Sequence, residues 1–140
     1  MPAAMIAKRS EPQSASEVIH AIYAAFRRGD LAEMQRMVAS DLVMHVPGKS
    51  FLGGEHRGVG EVIALTAQAA TRFIPSSLKV MSVEEEDDEA TALVEVGVRA
   101  TDGTTAPVRL RQTFRFDQDW KVVEAWLKPD DQRRFDRLLG

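Results

Sequence analysis

The stretch TALVEVGVRATDGTTAPVRLRQTFRFDQDWKVVEAWL, residues 91–127, decides the fold of this chain. Apolar side chains alternate with polar ones over 92–100 and over 108–116, and a third apolar run covers 122–127. A period of two is typical of strands that place one face on a core. Asp102–Gly103 separates the first two runs, and an Asp-rich turn separates the second and third. The stretch therefore predicts three antiparallel strands joined by tight turns.

The helical segments are expected earlier in the chain. Ser14 with Glu17 and Asp30 with Glu33 fit capping boxes, and Gly29 between them suits the end of the first helix. The segments expected next are a strand over 41–46, a glycine-rich loop over 47–60, a third helix over 58–74, a strand over 78–84, an acidic hairpin tip over 84–89 and, after the sheet, amphipathic turns over 129–139. Helices early and strands late predict an α+β fold with three helices packed on a mainly antiparallel sheet.

Length and composition limit the function classes. The 140 residues fit a single domain over 14–140, preceded by a tail over 1–13 that we expect to be disordered. The net charge is −3 with mixed signs, so neither nucleic acid nor a membrane is an expected partner. There is no cysteine, and no apolar run approaches the ~18 residues of a membrane span. We expect a cytoplasmic protein without a cofactor.

Three local segments carry a resemblance to a known family. They are FRRGDL at 26–31, VPGKSFLGGEHRG at 46–58 and FRFDQDWKVV at 114–123. Together with the element order, they resemble the SnoaL-like and ketosteroid isomerase-like proteins of the nuclear transport factor 2-like superfamily. That group usually has glycine where this chain has Trp120. The resemblance implies a cone-shaped barrel whose curved sheet and helices enclose a conical pocket for a small hydrophobic molecule.

The resemblance also allows the isomerase residues to be tested one by one. Ketosteroid isomerases use a carboxylate base, a tyrosine and a protonated aspartate. The matching positions here hold Val46, Ile22 and Gln112. Tyr23 is next to the tyrosine position but points about 100° away around a helix. Of the three roles, Gln112 alone keeps a hydrogen-bond donor, so the standard isomerase mechanism is not expected.

The candidate catalytic residues are therefore His45, Gln112 and Tyr23. His45 could act as an acid or base near neutral pH, although strand alternation turns it away from Met44 and Val46. Gln112 is a lone polar residue in an apolar row, where it could bind a ligand carbonyl or pair with Tyr23. The apolar residues expected to line the pocket are Ile22, Phe26, Met44, Val46, Val94, Val96, Leu110, Phe114, Ala125 and Leu127.

The opposite face of the sheet should carry alternating charged residues that form cross-strand ion pairs. Trp126 also falls on that face, and the superfamily commonly pairs through its sheet. We therefore expect a homodimer with Trp126 at or near the interface. No metal site is expected, because His45 and His56 are eleven residues apart and lack a third ligand.

Three functions remain open from the sequence. The first is a pocket protein that, if catalytic, is an isomerase, cyclase or dehydratase-like enzyme. The second is a non-catalytic ligand-binding or protein-interaction module that keeps the fold without the carboxylates. The third is an epoxide hydrolase-like enzyme with an Asp-Arg-Asp set, which Arg109 or Arg111 with Asp117 matches poorly.

Overall fold

A computed structural model describes residues 14–140 of the chain, so the expected disorder of the tail over 1–13 falls outside the described residues. The elements in chain order are α1 (Ala15–Arg28), α2 (Leu31–Arg36), β1 (Val38–Val46), β2 (Gly54–Arg57), α3 (Val59–Ala69), β3 (Phe73–Glu86), β4 (Glu89–Arg99), β5 (Thr105–Phe116), β6 (Val122–Pro129) and α4 (Gln132–Leu139). Within this described part, no helix combines the length and hydropathy needed to cross a membrane.

The six strands form one curved, unclosed sheet in the order β2-β1-β6-β5-β4-β3. Neighbouring strands are antiparallel except β1 and β6, which are parallel. Helices α1 and α3 pack on the inner side of this sheet. The α+β fold with helices on a mainly antiparallel sheet is therefore confirmed, and its shape is consistent with the cone-like fold of the superfamily.

Both predicted helix starts and the turn between them are confirmed. Ser14 Oγ accepts a hydrogen bond from the amide of Glu17 at 3.2 Å, and Asp30 Oδ1 accepts one from the amide of Glu33 at 3.1 Å. Gly29 ends α1 with φ of 70°, a left-handed conformation in which a Cβ atom would be strained. These caps fix where α1 stops, and therefore which of its side chains face the sheet.

Several boundaries differ from the sequence prediction. Strand β1 begins at Val38 rather than at Asp41, and only residues 87–88 of the expected acidic hairpin tip lie between β3 and β4. The expected loop over 47–60 contains the short strand β2, which pairs with β1. The third helix ends at Ala69, and Phe73 already belongs to β3. Pro75 lies inside this edge strand, within the register shift between Ile74 and Lys79 where the regular pairing with β4 is interrupted.

The C-terminal segment forms a complete helix, α4, held by one arginine. Arg72 donates to the backbone oxygens of Leu138 and Leu139 at 2.9 and 3.1 Å, which are end carbonyls without a helical partner. Its Nε also donates to the backbone oxygen of Arg99 at 3.0 Å. Phe135 is buried against Phe73, so α4 closes one end of the core.

Candidate functional site

A cavity of about 150 Å³ lies between the inner face of the sheet and the helices. Its walls come from all three N-terminal helices and every strand except β2, together with the loop before β2. The residues that line it are Ile22, Tyr23, Phe26, Met34, Val38, Leu42, Met44, Val46, Leu52, Val62, Leu65, Thr66, Ala69, Phe73, Leu78, Val94, Val96, Leu110, Gln112, Phe114, Val122, Ala125 and Leu127. Every apolar residue expected from the sequence to line a pocket lies in this wall.

Strand alternation positions the sheet side of the cavity. Leu110, Gln112 and Phe114 all point inward from β5, since residues two apart in a strand share a face. On β4, Val94 stands opposite Leu110 in the register, and Ala92 stands opposite Gln112. Apolar side chains thus surround Gln112 on the inner face of the sheet.

Tyr23 and Gln112 form a hydrogen-bonded pair inside this wall. The Tyr23 hydroxyl, which is on α1, donates to Oε1 of Gln112 on β5. Tyr23 also meets the ring of Phe114 edge to face, with centroids 6.2 Å apart. Burial raises the pKa of the Tyr23 phenol above its ordinary value, because the phenolate would lose its hydration. Tyr23 therefore stays a neutral donor at physiological pH.

The amide nitrogen of Gln112 remains available to another molecule. The hydrogen bond from Tyr23 uses the carbonyl oxygen of the side chain, and the structure gives the nitrogen no bond to a described residue. Among residues 14–140, no side-chain nitrogen or oxygen that is shut off from solvent lacks a partner. The Gln112 nitrogen is therefore reachable by a water-sized molecule, and it carries two N–H donors.

His45 lies on the other side of the sheet, away from Tyr23 and Gln112. Its Nε2 is 2.7 Å from Oε2 of Glu124, and its ring stacks on Trp126 with centroids 5.6 Å apart. Glu55 Oε1 lies 3.6 Å from the other ring nitrogen. Hydrogen bonds from His45 and Arg115 hold the pKa of Glu124 below its usual range. The three candidate catalytic residues therefore divide into a cavity pair and an outer-face cluster.

The helix side of the cavity was only partly recognised in the sequence. Val62, Leu65, Thr66 and Ala69 line it from α3 at helical spacing, which is the signal that identifies this wall. The Thr66 hydroxyl donates to the backbone oxygen of Val62 at 2.9 Å, so its hydrogen is already used.

Leu52 of the glycine-rich loop was not predicted to line the cavity. Its backbone oxygen is 2.8 Å from Nε2 of His56, whose side chain is only 15% exposed. The sequence shows Leu52 as an apolar residue among loop glycines, but no local pattern indicated that its side chain turns inward.

The cavity has a mostly apolar wall, in which Tyr23, Gln112 and Thr66 supply the polar side chains among the described residues. Among the described residues that line it, none is an aspartate, glutamate, histidine, lysine or arginine. Of the lining residues that the structure describes, Tyr23 is the one with a titratable group, and its burial keeps the phenol neutral. The arrangement can exclude water, hold an apolar body and donate hydrogen bonds from Gln112.

The sequence of this chain is similar to that of a known protein family. Residues 19–125 match the family described as the SnoaL-like domain. An uncharacterised protein of Mycobacterium tuberculosis (strain ATCC 25618 / H37Rv), Rv0034, is 43% identical over 54 residues, which cover 39% of this chain and 41% of that protein. The match thus spans about two fifths of the length of this curated relative.

Solved structures share the architecture at low sequence identity. An NTF2-like protein of unknown function from Burkholderia pseudomallei K96243 has a TM-score of 0.76 at 23% identity, covering 90% of this chain and 97% of that one. TerC, crystallised with polyporic acid, has a TM-score of 0.75 at 22% identity, covering 89% and 97%. The family match over most of the chain shows that this protein belongs to the SnoaL-like domain family.

Proposed function

We propose that this protein binds a small hydrophobic molecule that carries one hydrogen-bond acceptor, with the acceptor placed against Gln112. The observation that carries the proposal is the accessible amide nitrogen of Gln112 in a mostly apolar wall. Tyr23 supports this role by occupying the carbonyl oxygen of Gln112, which orients the N–H groups for a ligand. A ketone, ester or quinone oxygen fits these donors.

The size of the cavity limits the ligand. Its volume of about 150 Å³ matches that of an engineered apolar cavity that takes up benzene. We therefore expect a single ring, or a chain of similar bulk, within the cavity. TerC, which has the same fold, was crystallised with polyporic acid, and this supports an organic ligand for the fold.

Binding and selectivity would come from different parts of the wall. Burial of an apolar ligand contributes roughly 25 cal/mol for each Å² removed from water. A ligand carbonyl that enters without a partner loses about 1–3 kcal/mol, and Gln112 removes that penalty. The apolar wall would thus set the affinity for the body of the ligand, and Gln112 would select ligands that carry an acceptor.

Binding without catalysis is the form of the proposal that the cavity supports best. An isomerase or cyclase step needs a group that takes or gives a proton at the reacting carbon. The described wall offers Tyr23, whose raised pKa keeps its proton in place, and no carboxylate or imidazole. His45, the other candidate, faces away and is hydrogen-bonded to Glu124.

The test compares two probes of the same shape, cyclohexanone and methylenecyclohexane, by isothermal titration calorimetry. The variants are Gln112→Met, Tyr23→Phe and the double variant, in which both polar groups become apolar groups of similar size. We expect the ketone-to-alkene affinity ratio to be about tenfold lower in the double variant than in Tyr23→Phe, because these two variants differ at Gln112 alone. Tyr23→Phe should have a smaller effect, because the amide donors remain.

The double variant also serves as the control for folding. Replacing both members of a buried polar pair is nearly neutral for stability, whereas replacing one leaves its partner unsatisfied. An affinity ratio that is the same in the folded double variant as in Tyr23→Phe would contradict the assigned role of Gln112. Failure of both probes to bind the native protein would contradict the proposed ligand class.

A further inference from the structure

Helix α3 brings a polar side chain to the cavity in the middle of an apolar stripe. Thr66 lies four residues after Val62 and three before Ala69, on the side of the helix that lines the cavity. Its neighbours on this stripe are buried, whereas Thr66 is half-buried. A threonine at this position resembles Gln112 on the sheet, since each interrupts a row of apolar residues that line the same cavity.

The hydroxyl of Thr66 can serve a ligand as an acceptor but not as a donor. Its hydrogen is bound to the backbone oxygen of Val62 at 2.9 Å, a common arrangement for threonine inside a helix. A hydroxyl oxygen also has two lone pairs, and within residues 14–140 the structure gives the Thr66 oxygen no donor. The group that complements this oxygen is therefore an O–H or an N–H of another molecule.

Thr66 and Gln112 belong to different walls of the cavity. Helix α3 packs on β1, and β6 lies between β1 and β5, the strand that carries Gln112. Neighbouring strands are about 4.8 Å apart, so β1 and β5 are separated by roughly 10 Å. The Tyr23 hydroxyl lies against Gln112 and belongs to the same end of the cavity. This separation favours contacts of Thr66 and Gln112 with different ends of one ligand.

We infer that Thr66 is a specificity-determining residue, which selects ligands that carry a hydrogen-bond donor at the end opposite the acceptor bound by Gln112. This inference rests on the proposed ligand site and adds the polarity of the ligand to it. A ligand hydroxyl that enters an apolar wall without a partner loses its hydrogen bonds to water, and the Thr66 oxygen replaces one of them. Because Gln112 donates and Thr66 accepts, a ligand with an acceptor at both ends satisfies only Gln112.

The test compares 4-hydroxycyclohexanone with 4-methylcyclohexanone, two ketones of similar shape that differ in the donor. Thr66→Val and Thr66→Ala remove the acceptor oxygen, whereas Thr66→Ser keeps the oxygen and removes the methyl group. Affinities would be measured by nuclear magnetic resonance titration, in which the amide signals also show whether each variant is folded. The hydroxyl-to-methyl affinity ratio is compared between variants, because changes that affect both ketones alike cancel in this ratio.

We expect the ratio to fall about 3- to 10-fold in Thr66→Val and in Thr66→Ala, and to change by less than ~2-fold in Thr66→Ser. A ratio that is the same in the native protein and in both oxygen-free variants would overturn the inference, while binding of 4-methylcyclohexanone would leave the ketone site at Gln112 standing. A fall in Thr66→Ser as large as in Thr66→Val would also overturn it, because the methyl group would then be responsible. Failure of both ketones to bind the native protein would contradict the proposed function and the inference together.

Discussion

Tyr23 is the single tyrosine of the chain, which allows its ionisation to be followed directly. Its phenol is 5% exposed, and burial raises its pKa, so the folded state holds the proton more tightly than the unfolded state does. The stabilisation that the neutral Tyr23 phenol contributes is fully present below its pKa of about 10 in the unfolded chain. It is lost as the pH rises above that value.

We therefore predict that phenolate absorbance rises together with alkaline unfolding, rather than before it. The free energy of unfolding should decline less steeply with pH for Tyr23→Phe than for the native protein above pH ~10. The measurement follows phenolate absorbance in an ultraviolet pH titration and unfolding by circular dichroism over the same pH range. A phenolate signal that develops while the fold is intact would contradict the buried, neutral tyrosine.

Trp120 occupies a position where its backbone has φ of 59°, a left-handed conformation that is costly for a residue with a Cβ atom. Its ring packs edge-on against Phe116 with centroids 5.8 Å apart, which offsets that cost. Trp120→Ala removes the packing and keeps the strain, whereas Trp120→Gly removes both. We predict that the glycine variant is the more stable of the two by about 1 kcal/mol in urea unfolding. If the alanine variant were the more stable, as is usual within strands, the backbone at position 120 would not be strained.

Arg72, which is distant in the sequence, ties the C-terminal end of helix α4 to the rest of the fold. The arginine satisfies the backbone oxygens of Leu138 and Leu139 and contacts Phe51 through its guanidinium, 5.8 Å from the ring centroid. We predict that Arg72→Ala lowers the free energy of unfolding by about 1–3 kcal/mol, because charged hydrogen bonds to half-buried carbonyls are lost. Arg133→Ala, at an exposed position of the same helix, should change it by less than ~0.5 kcal/mol. Equal effects of the two changes would contradict the role given to Arg72.

Elements with strong local signals could be predicted, and those set by distant contacts could not. Alternation gave the last three strands, and the caps at Ser14 and Asp30 gave the first two helices. Strand β2 was missed because its four residues include a glycine and it is stabilised by pairing with β1. Pro75 was taken as the end of a helix, since its place on an edge strand follows from the order of the sheet.

The candidate site also combines features that local patterns predict with features that depend on distant contacts. Val94, Leu110 and Phe114 could be assigned to one face from periodicity, which is a local property. The contact between Tyr23 and Gln112 depends on how α1 is rotated against the sheet, and sequence spacing left that open. The pairing of His45 with Glu124 requires β1 to lie parallel beside β6, and no local pattern indicates this neighbour.

Considered as a whole, the molecule presents different chemistry on the two faces of one sheet. The inner face and helices enclose the cavity with the Tyr23–Gln112 pair, and the outer face presents the charges around Trp126. Side chains of the two faces alternate along the same strands, so substitutions can change one face and leave the other intact.

The most direct test of the central claim is a crystal structure of the native protein with 4-bromoacetophenone, whose bromine identifies the ligand by anomalous scattering. We predict one ligand in the cavity, with its carbonyl oxygen within hydrogen-bond distance of Nε2 of Gln112 and its ring against Val94, Leu110 and Phe114. A ligand found elsewhere, or one whose carbonyl turns away from Gln112, would contradict the account.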